Sequence, residues 1–374
     1  MQSPFAEPVA SVAVADSAPE SALVERVRAA LERGALVALP TETVYGLAAR
    51  ADDARAVARL AALKGGPSEK AFTWHVGTSA VLSRFDALVP LLARLAERYW
   101  PGPLTLVARG VPSGLAGVAR EGWTGVRFPA HRATAGILAA LPFPVVMSSA
   151  NLHGTPPLLV AADVQRTFGR ELALVVDGGP ARLGEASGVL SVGPGRFELL
   201  REGLSSLAAL RRAAGLAIGF VCTGNTCRSP MAEAFAQSVL GARLGLSTGE
   251  PDGARRLSDF GFRVESMGIL ARPGEPASAL ALEALGARGL TLAGHAAQAA
   301  TLERVRELDR VYALTRGHLH ALRSLLPPGS TPMLELLDPE GLDIPDPAGG
   351  SREDYARCAE RIEAAIRARA PLWA

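Results

Sequence analysis

Residues 221–230 read VCTGNTCRSP and gather scarce side chains: two of the chain's three cysteines, Cys222 and Cys227, and one of its two asparagines, Asn225. Cys222, Arg228 and Ser229 stand in a Cys-x5-Arg-Ser array. The apolar run 216–222 before it reads as a buried strand, and Pro230 suits the first turn of a helix. The array therefore falls on a strand-to-helix turn. Backbone N–H groups in such a turn, including those of Thr223 and Thr226, can curl round one anion, helped by the helix N-terminus. The same field favours a thiolate at Cys222. Arg228 can hold two phosphate oxygens with its planar fork, and Ser229 can hydrogen-bond the sulfur. Gly224 permits unusual dihedrals and Asn225 can pin the loop through its amide. A thiolate so placed can attack phosphorus and form a phosphocysteine. The leaving group then needs a proton. Residues 343–350, DIPDPAGG, carry Asp343 and Asp346 in a proline-stiffened loop ahead of the last expected helix, and Asp346 is the expected general acid. Cys227 reads either as a partner for a reversible disulfide with Cys222 or as a plain loop thiol.

The first half of the chain carries a different set. LPTETVYGLAA (39–49) is a strand followed by a compact turn dense in hydrogen-bonding groups: Thr41, Glu42, Thr43 and Tyr45. KGGPSEK (64–70), WPGPLT (100–105), GVRFP (125–129), SSANLHG (148–154), VDGGP (176–180), EASGV (185–189) and LREG (200–203) follow in order. They place Lys, Arg, Ser and Asn side chains on loops, as a pocket for ATP and an amino acid requires. The only lysines are Lys64 and Lys70 and the only asparagines Asn151 and Asn225. Three of these four, Lys64, Asn151 and Asn225, are candidate site residues.

These residues need elements to hold them. Helical spacing marks 21–33, 52–64 and 80–99; apolar runs mark strands at 34–40, 72–77, 103–110, 144–151, 172–179 and 188–203. From 216 the pattern alternates: strand, helix 230–243, strand 262–268, helices 276–288 and 301–308, strand 310–315, helix 317–325 and a last helix 351–369. That alternation predicts a parallel, doubly wound sheet. The expected organisation is a disordered lead over 1–20, a mixed α/β domain over 21–205, a linker over 206–215 and a second α/β domain over 216–374. With 48% hydrophobic and 20% charged residues, the composition is globular. A net charge of +2 gives no electrostatic footprint for nucleic acid. Three cysteines form no disulfide framework, so reduced thiols and the cytoplasm are expected. No apolar run is long enough to span a membrane, and the start lacks the basic and apolar regions of a signal peptide.

On Cys222, Arg228, Ser229 and Asp346, residues 216–370 resemble the low-molecular-weight protein phosphatases. The resemblance implies a cysteine nucleophile, a phosphate clamp, a thiol-stabilising hydroxyl and an acid at those positions, and no cofactor. Tyrosine-directed members usually follow Asp-Pro with an aromatic pair, where this chain has Ala348 and Gly349. With Thr226 in the loop, CTGNTCRSP and DPAGGS look more like the protein-arginine phosphatases, in which that threonine shapes a pocket for a phosphoguanidinium. Arsenate reductases of this family need a further cysteine pair, and only Cys358 remains. The motif order over 20–205 resembles the YrdC family of threonylcarbamoyl-AMP synthases, whose fold has a large open cavity. That resemblance implies L-threonine, bicarbonate and ATP as substrates, Mg²⁺ carried by the phosphates, and delivery of the product to tRNA by the threonylcarbamoyl-transfer machinery. It assigns Thr41, Lys64, His75, Thr105, Arg127, Ser149, Asn151, Ser187 and Arg201 to the ATP and threonine pocket. Lys64, Ser149 and Asn151 would face phosphate and nucleotide; Arg127 and Ser187 would hold threonine. The family's Lys-x-Arg reads Lys64-Gly65-Gly66 here, so one phosphate-binding arginine is missing, and Lys70 is the nearest substitute charge. The expected protein is a bifunctional enzyme. The alternative keeps the phosphatase and makes the first domain a degenerate module that binds a nucleotide or double-stranded RNA.

Overall fold

The computed structural model describes residues 9–65, 72–85, 88–113, 115, 119–246, 253–292, 294–327, 329–330 and 332–374. The chain divides into two compact units, Met1–Leu207 and Ala208–Ala374.

In the first unit the described elements are β1 (Ala10–Ala13), α1 (Ser21–Glu32), β2 (Leu36–Leu39), β3 (Gly46–Arg50), α2 (Ala54–Leu63), β4 (Thr73–His75), α3 (Val89–Tyr99), β5 (Leu104–Arg109), β6 (Trp123–Arg127), α4 (Arg132–Ala140), β7 (Val145–Ser149), α5 (Ala161–Phe168), β8 (Leu172–Asp177), β9 (Gly188–Gly193) and β10 (Arg196–Arg201). The strands form one mixed sheet in the order β1-β8-β2-β3-β7-β4-β6-β5-β9-β10. Leu23, Val27 and Leu31 of α1 and Ile137 of α4 pack on Val37, Leu39, Ala48, Met147 and Val176 of the sheet. The alternation that leaves one residue in two on that face is the strand's own period.

Three expectations are corrected here. Residues 10–13, expected as disordered lead, pair in parallel with β8, and Val14 N donates to Asp177 O at 2.7 Å. The helix expected over 80–99 is broken into a 3-10 turn, Ser79–Arg84, and α3. Pro90 explains the break, since it has no N–H to give a preceding turn and fits only at a helix start. The polar turn after residue 39 is shorter than expected, because 46–50 is strand β3, antiparallel to both β2 and β7. Gly66 to Ala71, which include Lys70 and all of the expected 65–70 loop but Gly65, lie outside the described residues.

The second unit contains α6 (Leu207–Ala214), β11 (Ala217–Cys222), α7 (Arg228–Arg243), α8 (Gly253–Ser258), β12 (Arg263–Gly268), α9 (Ala279–Gly286), α10 (Leu302–Arg306), β13 (Arg310–Ala313), α11 (Arg316–Leu325), β14 (Met333–Leu336) and α12 (Arg352–Arg369). Its strands pair in the order β12-β11-β13-β14, all parallel. Successive residues of β11 face opposite sides: Val221 packs with Val305, Leu308 and Leu322, while Phe220 stacks with Tyr312 and meets Trp373 edge-to-face. Helices therefore cover both faces and the sheet is doubly wound. Residues 206–215, expected as a helical linker, are largely helix α6. Its Leu210 and Ala214 are fully buried, and Arg211 pairs with Asp259 at 3.1 Å.

Candidate active sites

In the second unit β11 ends at Cys222 and α7 starts at Arg228, so the Cys-x5-Arg array spans that turn. Cys222 Sγ lies 3.0 Å from Ser229 Oγ and accepts the Asn225 N–H at 3.3 Å. Asn225 is fully buried in the left-handed region at φ 57°. Its amide pins the loop: Nδ2 donates to Ser229 Oγ and Ser266 Oγ at 2.9 Å each, and Oδ1 accepts Gln298 N at 2.8 Å. An asparagine tolerates that conformation when such local bonds compensate it. β12 ends against the loop. A Cβ at Gly268 would stand 2.5 Å from Thr223 O and 2.8 Å from Asn225 N, so only glycine fits.

Arg228 is buried. Its Nη2 donates to Asp346 Oδ2 at 2.5 Å and its Nη1 to Ile344 O at 3.2 Å. Its Nε is buried with no hydrogen-bond partner among the described residues. Asp346 is half-exposed. Thr223 Oγ1 sits between Arg228 Nη2 at 3.5 Å and His318 Nε2 at 2.9 Å. Thr226 Oγ1 is 3.6 Å from Cys227 Sγ, and Ser278 N donates to Thr226 O. Cys227 Sγ lies 3.2 Å from Tyr355 Oη. Cys222, Cys227 and Cys358 are all free thiols; burial pushes the Cys358 thiol up to about 12. Gly224 closes the turn with little around it.

The first unit builds its site from strand ends. His75 and Arg127 are register partners on β4 and β6. Arg127 is buried: Nη2 donates to Glu42 Oε1 at 2.6 Å and Thr43 Oγ1 at 2.8 Å, and Nε donates to Gly102 O. Ala130 N donates to the other oxygen of Glu42 at 2.9 Å. Thr41 Oγ1 ties the same turn together, donating to Val44 O at 2.5 Å and lying 2.8 Å from Thr43 Oγ1. His75 Nδ1 is 2.9 Å from Thr73 O, an acceptor only, so that nitrogen carries the hydrogen. Burial, and then the Arg127 cation, pull His75 down to about 3, so it is neutral. Across β5 and β9, Thr105 Oγ1 is 2.9 Å from Ser187 Oγ, and Arg201 donates to Ser187 O at 2.8 Å and Ser187 Oγ at 3.2 Å. Burial first and Arg127 second hold Arg201 below its ordinary value.

A second cluster flanks the same turn, joined to it where Ala150 N donates to Tyr45 O. Lys64, buried just past α2, points its ammonium at Ser149 O, Asn151 O and Asn151 Oδ1, at 2.5, 2.6 and 2.6 Å. Ser149 Oγ donates to Asn151 Oδ1 at 2.6 Å. Hydrogen bonds join eight of the nine expected pocket residues in three groups, Thr41 with Arg127 through Thr43, Thr105 with Ser187 and Arg201, and Lys64 with Ser149 and Asn151, and His75 is the register partner of Arg127.

Sequence reasoning missed several contributors. Glu42 was read only as part of a polar turn, yet it is the buried partner of Arg127; a carboxylate between apolar flanks was the available signal. Ser266, His295 and His318 support the phosphate loop from other elements. Ser266 Oγ donates to Glu233 Oε2 of α7 at 2.6 Å, His295 Nε2 is 2.8 Å from Asn225 O, and burial raises Glu233 above its ordinary value. Nothing local in the sequence ties Ser266, His295 and His318 to loop residues 41–95 positions away.

A family model described as telomere recombination, Sua5_yciO_yrdC, matches residues 29–203, and one described as low molecular weight phosphotyrosine protein phosphatase matches residues 217–370. The chain is 42% identical over 159 residues to a threonylcarbamoyl-AMP synthase of Chromohalobacter salexigens, covering 39% of this chain and 80% of that protein. It is 35% identical over 193 residues to the Pyrococcus abyssi threonylcarbamoyl-AMP synthase, covering 50% of this chain and 55% of that one. It spans about half the length of that relative and of its Bacillus subtilis counterpart, 55% and 53%. Among solved structures, a double-alanine variant of P. abyssi Sua5 superposes with a TM-score of 0.50 at 24% identity, covering 69% of this chain and 91% of that chain, a likeness of fold. A YwlE mutant from B. subtilis is 31% identical, covering 42% of this chain and 97% of that chain, with a TM-score of 0.36.

Proposed function

We propose, for a chain that belongs to the Sua5–YciO–YrdC family through its first unit and carries a low molecular weight phosphatase domain in its second, a bifunctional cytoplasmic enzyme. The first activity is synthesis of L-threonylcarbamoyladenylate from L-threonine, bicarbonate and ATP, for threonylcarbamoyladenosine in tRNA. A carbamate oxygen of threonine would bond to the α-phosphorus as the bond to the bridging oxygen breaks, and pyrophosphate would leave with the electron pair. Lys64, Ser149 and Asn151 would meet the nucleotide. The ammonium's acceptors there are neutral oxygens, and an anionic phosphate oxygen would hold it more strongly by adding ion pairing. Arg127 and Ser187 would hold threonine, with Thr41, His75, Thr105 and Arg201 shaping the pocket. Mg²⁺ would arrive on the phosphates as part of the substrate; among the described residues no group of three His, Cys, Asp or Glu gathers to hold a metal. The product would pass to the threonylcarbamoyl-transfer machinery and tRNA.

The second activity is dephosphorylation of a protein side chain by Cys222. The observation that carries it is the state of Arg228: Nε buried without a partner and Nη2 held by Asp346. A phosphoryl group in the loop would take Nε and Nη2 together and displace the Asp346 carboxyl. Displacement leaves that carboxyl beside the leaving group, to which it would deliver a proton. The Cys222 sulfur would bond to phosphorus as the bond to the leaving atom breaks, and water would then hydrolyse the phosphocysteine. Phosphoarginine is the proposed substrate, because Thr226 offers a hydroxyl to a guanidinium and Ala348 and Gly349 offer no aromatic wall. The test is twofold. Pyrophosphate release from ATP should require threonine and bicarbonate, and phosphoarginine peptides should be cleaved faster than phosphotyrosine peptides. Thr226→Ile should reverse that preference. A wide preference of the wild type for phosphotyrosine would sink the arginine assignment alone.

One observation favours a second reading of the first unit: Gly66 stands where the family places a phosphate-binding arginine. Its loss removes a charge-assisted contact of roughly 1.5–3 kcal/mol. A slow synthase follows, and Gly66→Arg should raise threonine-dependent pyrophosphate release about tenfold or more. No ATP binding and no turnover, in wild type and Gly66→Arg alike, would establish the degenerate module.

A further inference from the structure

The phosphate loop has a neighbour that the chemistry above does not use. His318, in the first turn of α11, is buried, and both ring nitrogens meet hydroxyls: Nε2 at 2.9 Å from Thr223 Oγ1 and Nδ1 at 2.9 Å from Thr315 Oγ1. Thr223 Oγ1 is also within 3.5 Å of Arg228 Nη2. A guanidinium only donates, so Thr223 Oγ1 accepts from Arg228; in the tautomer whose Nε2 takes the Thr223 hydrogen, the ring hydrogen sits on Nδ1 and faces Thr315 Oγ1. Thr315 Oγ1 also takes the His318 backbone N–H at 3.3 Å, as the cap of α11. The charged groups facing the ring are Arg228 from α7 and Asp346 and Asp343 from the acid loop. Burial first, then Arg228, draw the imidazole down to about 4, which keeps it neutral with one ring nitrogen able to accept. A protonated ring would offer Thr223 a second donor in competition with Arg228.

We propose that His318 is a positioning residue for the phosphate clamp: through Thr223 it guides the Arg228 guanidinium to the place an incoming phosphoryl group needs. At 3.5 Å the Arg228–Thr223 bond is long, and the shorter bonds to Asp346 and Ile344 O anchor the side chain in the unliganded loop. Once a phosphoryl group displaces Asp346, Thr223 becomes the side chain that still orients the guanidinium. The proposal rests on the phosphatase reading, and its consequence is specific. Phosphate affinity should depend on His318, while the intrinsic reactivity of the Cys222 thiol should not.

The experiment uses the full chain and para-nitrophenyl phosphate, with inorganic phosphate as competitive inhibitor and iodoacetamide alkylation of Cys222 followed by mass spectrometry. Thr223→Val and His318→Leu should each raise the phosphate inhibition constant about tenfold, as loss of one charge-assisted contact implies. Because the two residues act in one chain, the double variant should be no worse than about tenfold as well. His318→Gln, whose side-chain carbonyl can accept the Thr223 hydrogen, should stay within about threefold of wild type. Iodoacetamide rates at Cys222 should not move. Unchanged inhibition constants in both single variants, effects that multiply, or a Gln variant as damaged as Leu would each overturn the proposal. If His318→Leu does not fold, Thr223→Val and His318→Gln decide the matter. A wild type that neither hydrolyses the ester nor is protected from iodoacetamide by phosphate would overturn the phosphatase reading itself. An active wild type with indifferent variants overturns only the role of His318.

Discussion

On the proposed function, the two units solve the same problem, holding an anion still, in opposite ways. The second compresses its contacts into one turn: Cys222, Asn225, Arg228 and Ser229 lie within eight residues, and distant groups only support them. The first spreads its contacts from Thr41 to Arg201, on the ends of seven strands and the turns beside them. A local turn is specified by its own dihedrals and caps. A dispersed pocket is specified only when a ten-stranded sheet has its register right. The first should therefore tolerate partial loss, and the second should fail at single residues.

The largest expected effect tests that contrast directly. Cys222→Ser should reduce phosphate ester hydrolysis to background, because no other thiol in the loop is aligned with Ser229 and Asn225. Asp346→Asn should slow esters with poor leaving groups by about 10²-fold while sparing activated aryl phosphates. Pyrophosphate release by the first unit should be untouched in both. Wild-type hydrolysis by Cys222→Ser would end the thiolate mechanism.

Acid should separate the units next. His75 is buried with its folded value drawn down to about 3 from 6.5, by burial and then by Arg127. Folding holds it neutral, so its contribution is complete above about pH 6.5 and is lost as pH falls from there towards 3. At about 1.4 kcal/mol per unit, that amounts to several kcal/mol. His318 in the second unit is drawn down only to about 4, so its window is narrower. Urea unfolding at pH 7 and pH 3 should show the first unit losing more stability, and His75→Leu should remove most of the difference. Equal losses in wild type and His75→Leu would show that His75 is not the group responsible.

How much of this was legible follows from the same contrast. The phosphate loop could be read almost whole, since strand, Gly224, Asn225 and helix start are adjacent in sequence. Its supports could not, because Ser266, His295 and His318 are brought in by the parallel sheet and its crossovers. In the first unit the order of motifs was visible, but the pairing of Glu42 with Arg127, 85 residues apart, was not. Strand β1 escaped because ASVA, four residues with one bulky apolar side chain, is too short to announce itself; its partner β8 supplies the evidence. The 80–99 helix failed for a local reason that was on view, Pro90.

Lys64 should show the middle-sized effect. Its ammonium is the hinge of the Ser149–Asn151 cluster, and Lys64→Met keeps the stem while removing the donors. Loss of a charged hydrogen-bonding group of roughly 1.5–3 kcal/mol predicts about a ten- to hundredfold fall in threonine-dependent pyrophosphate release. Phosphatase rates should stay at wild type. A fall in both activities would mean that the variant disturbs the chain beyond its own unit.

The smallest effect concerns how each unit caps a helix. α12 is capped locally: Ser351 Oγ accepts Asp354 N at 3.3 Å and Asp354 Oδ2 accepts Ser351 N at 2.8 Å. α4 has no cap from its own N-cap residue, His131. Asp16, 116 residues earlier, accepts Arg132 N at 2.7 Å, and Pro19 packs on Gly136 of the same helix. That arm leads from β1 to the loop whose Ala130 N holds Glu42 and, through it, Arg127. Both caps satisfy a helix-terminal N–H, so Asp16→Ala and Ser351→Ala should each cost about 0.5–2 kcal/mol. Their functional effects should differ. Ser351→Ala should leave phosphate hydrolysis within about twofold, because a lost local cap frays one helix turn. Asp16→Ala loosens the loop behind Glu42, so it should raise the threonine KM of pyrophosphate release severalfold while leaving the ATP KM unchanged. Equal shifts in both KM values would reduce Asp16 to a stability element.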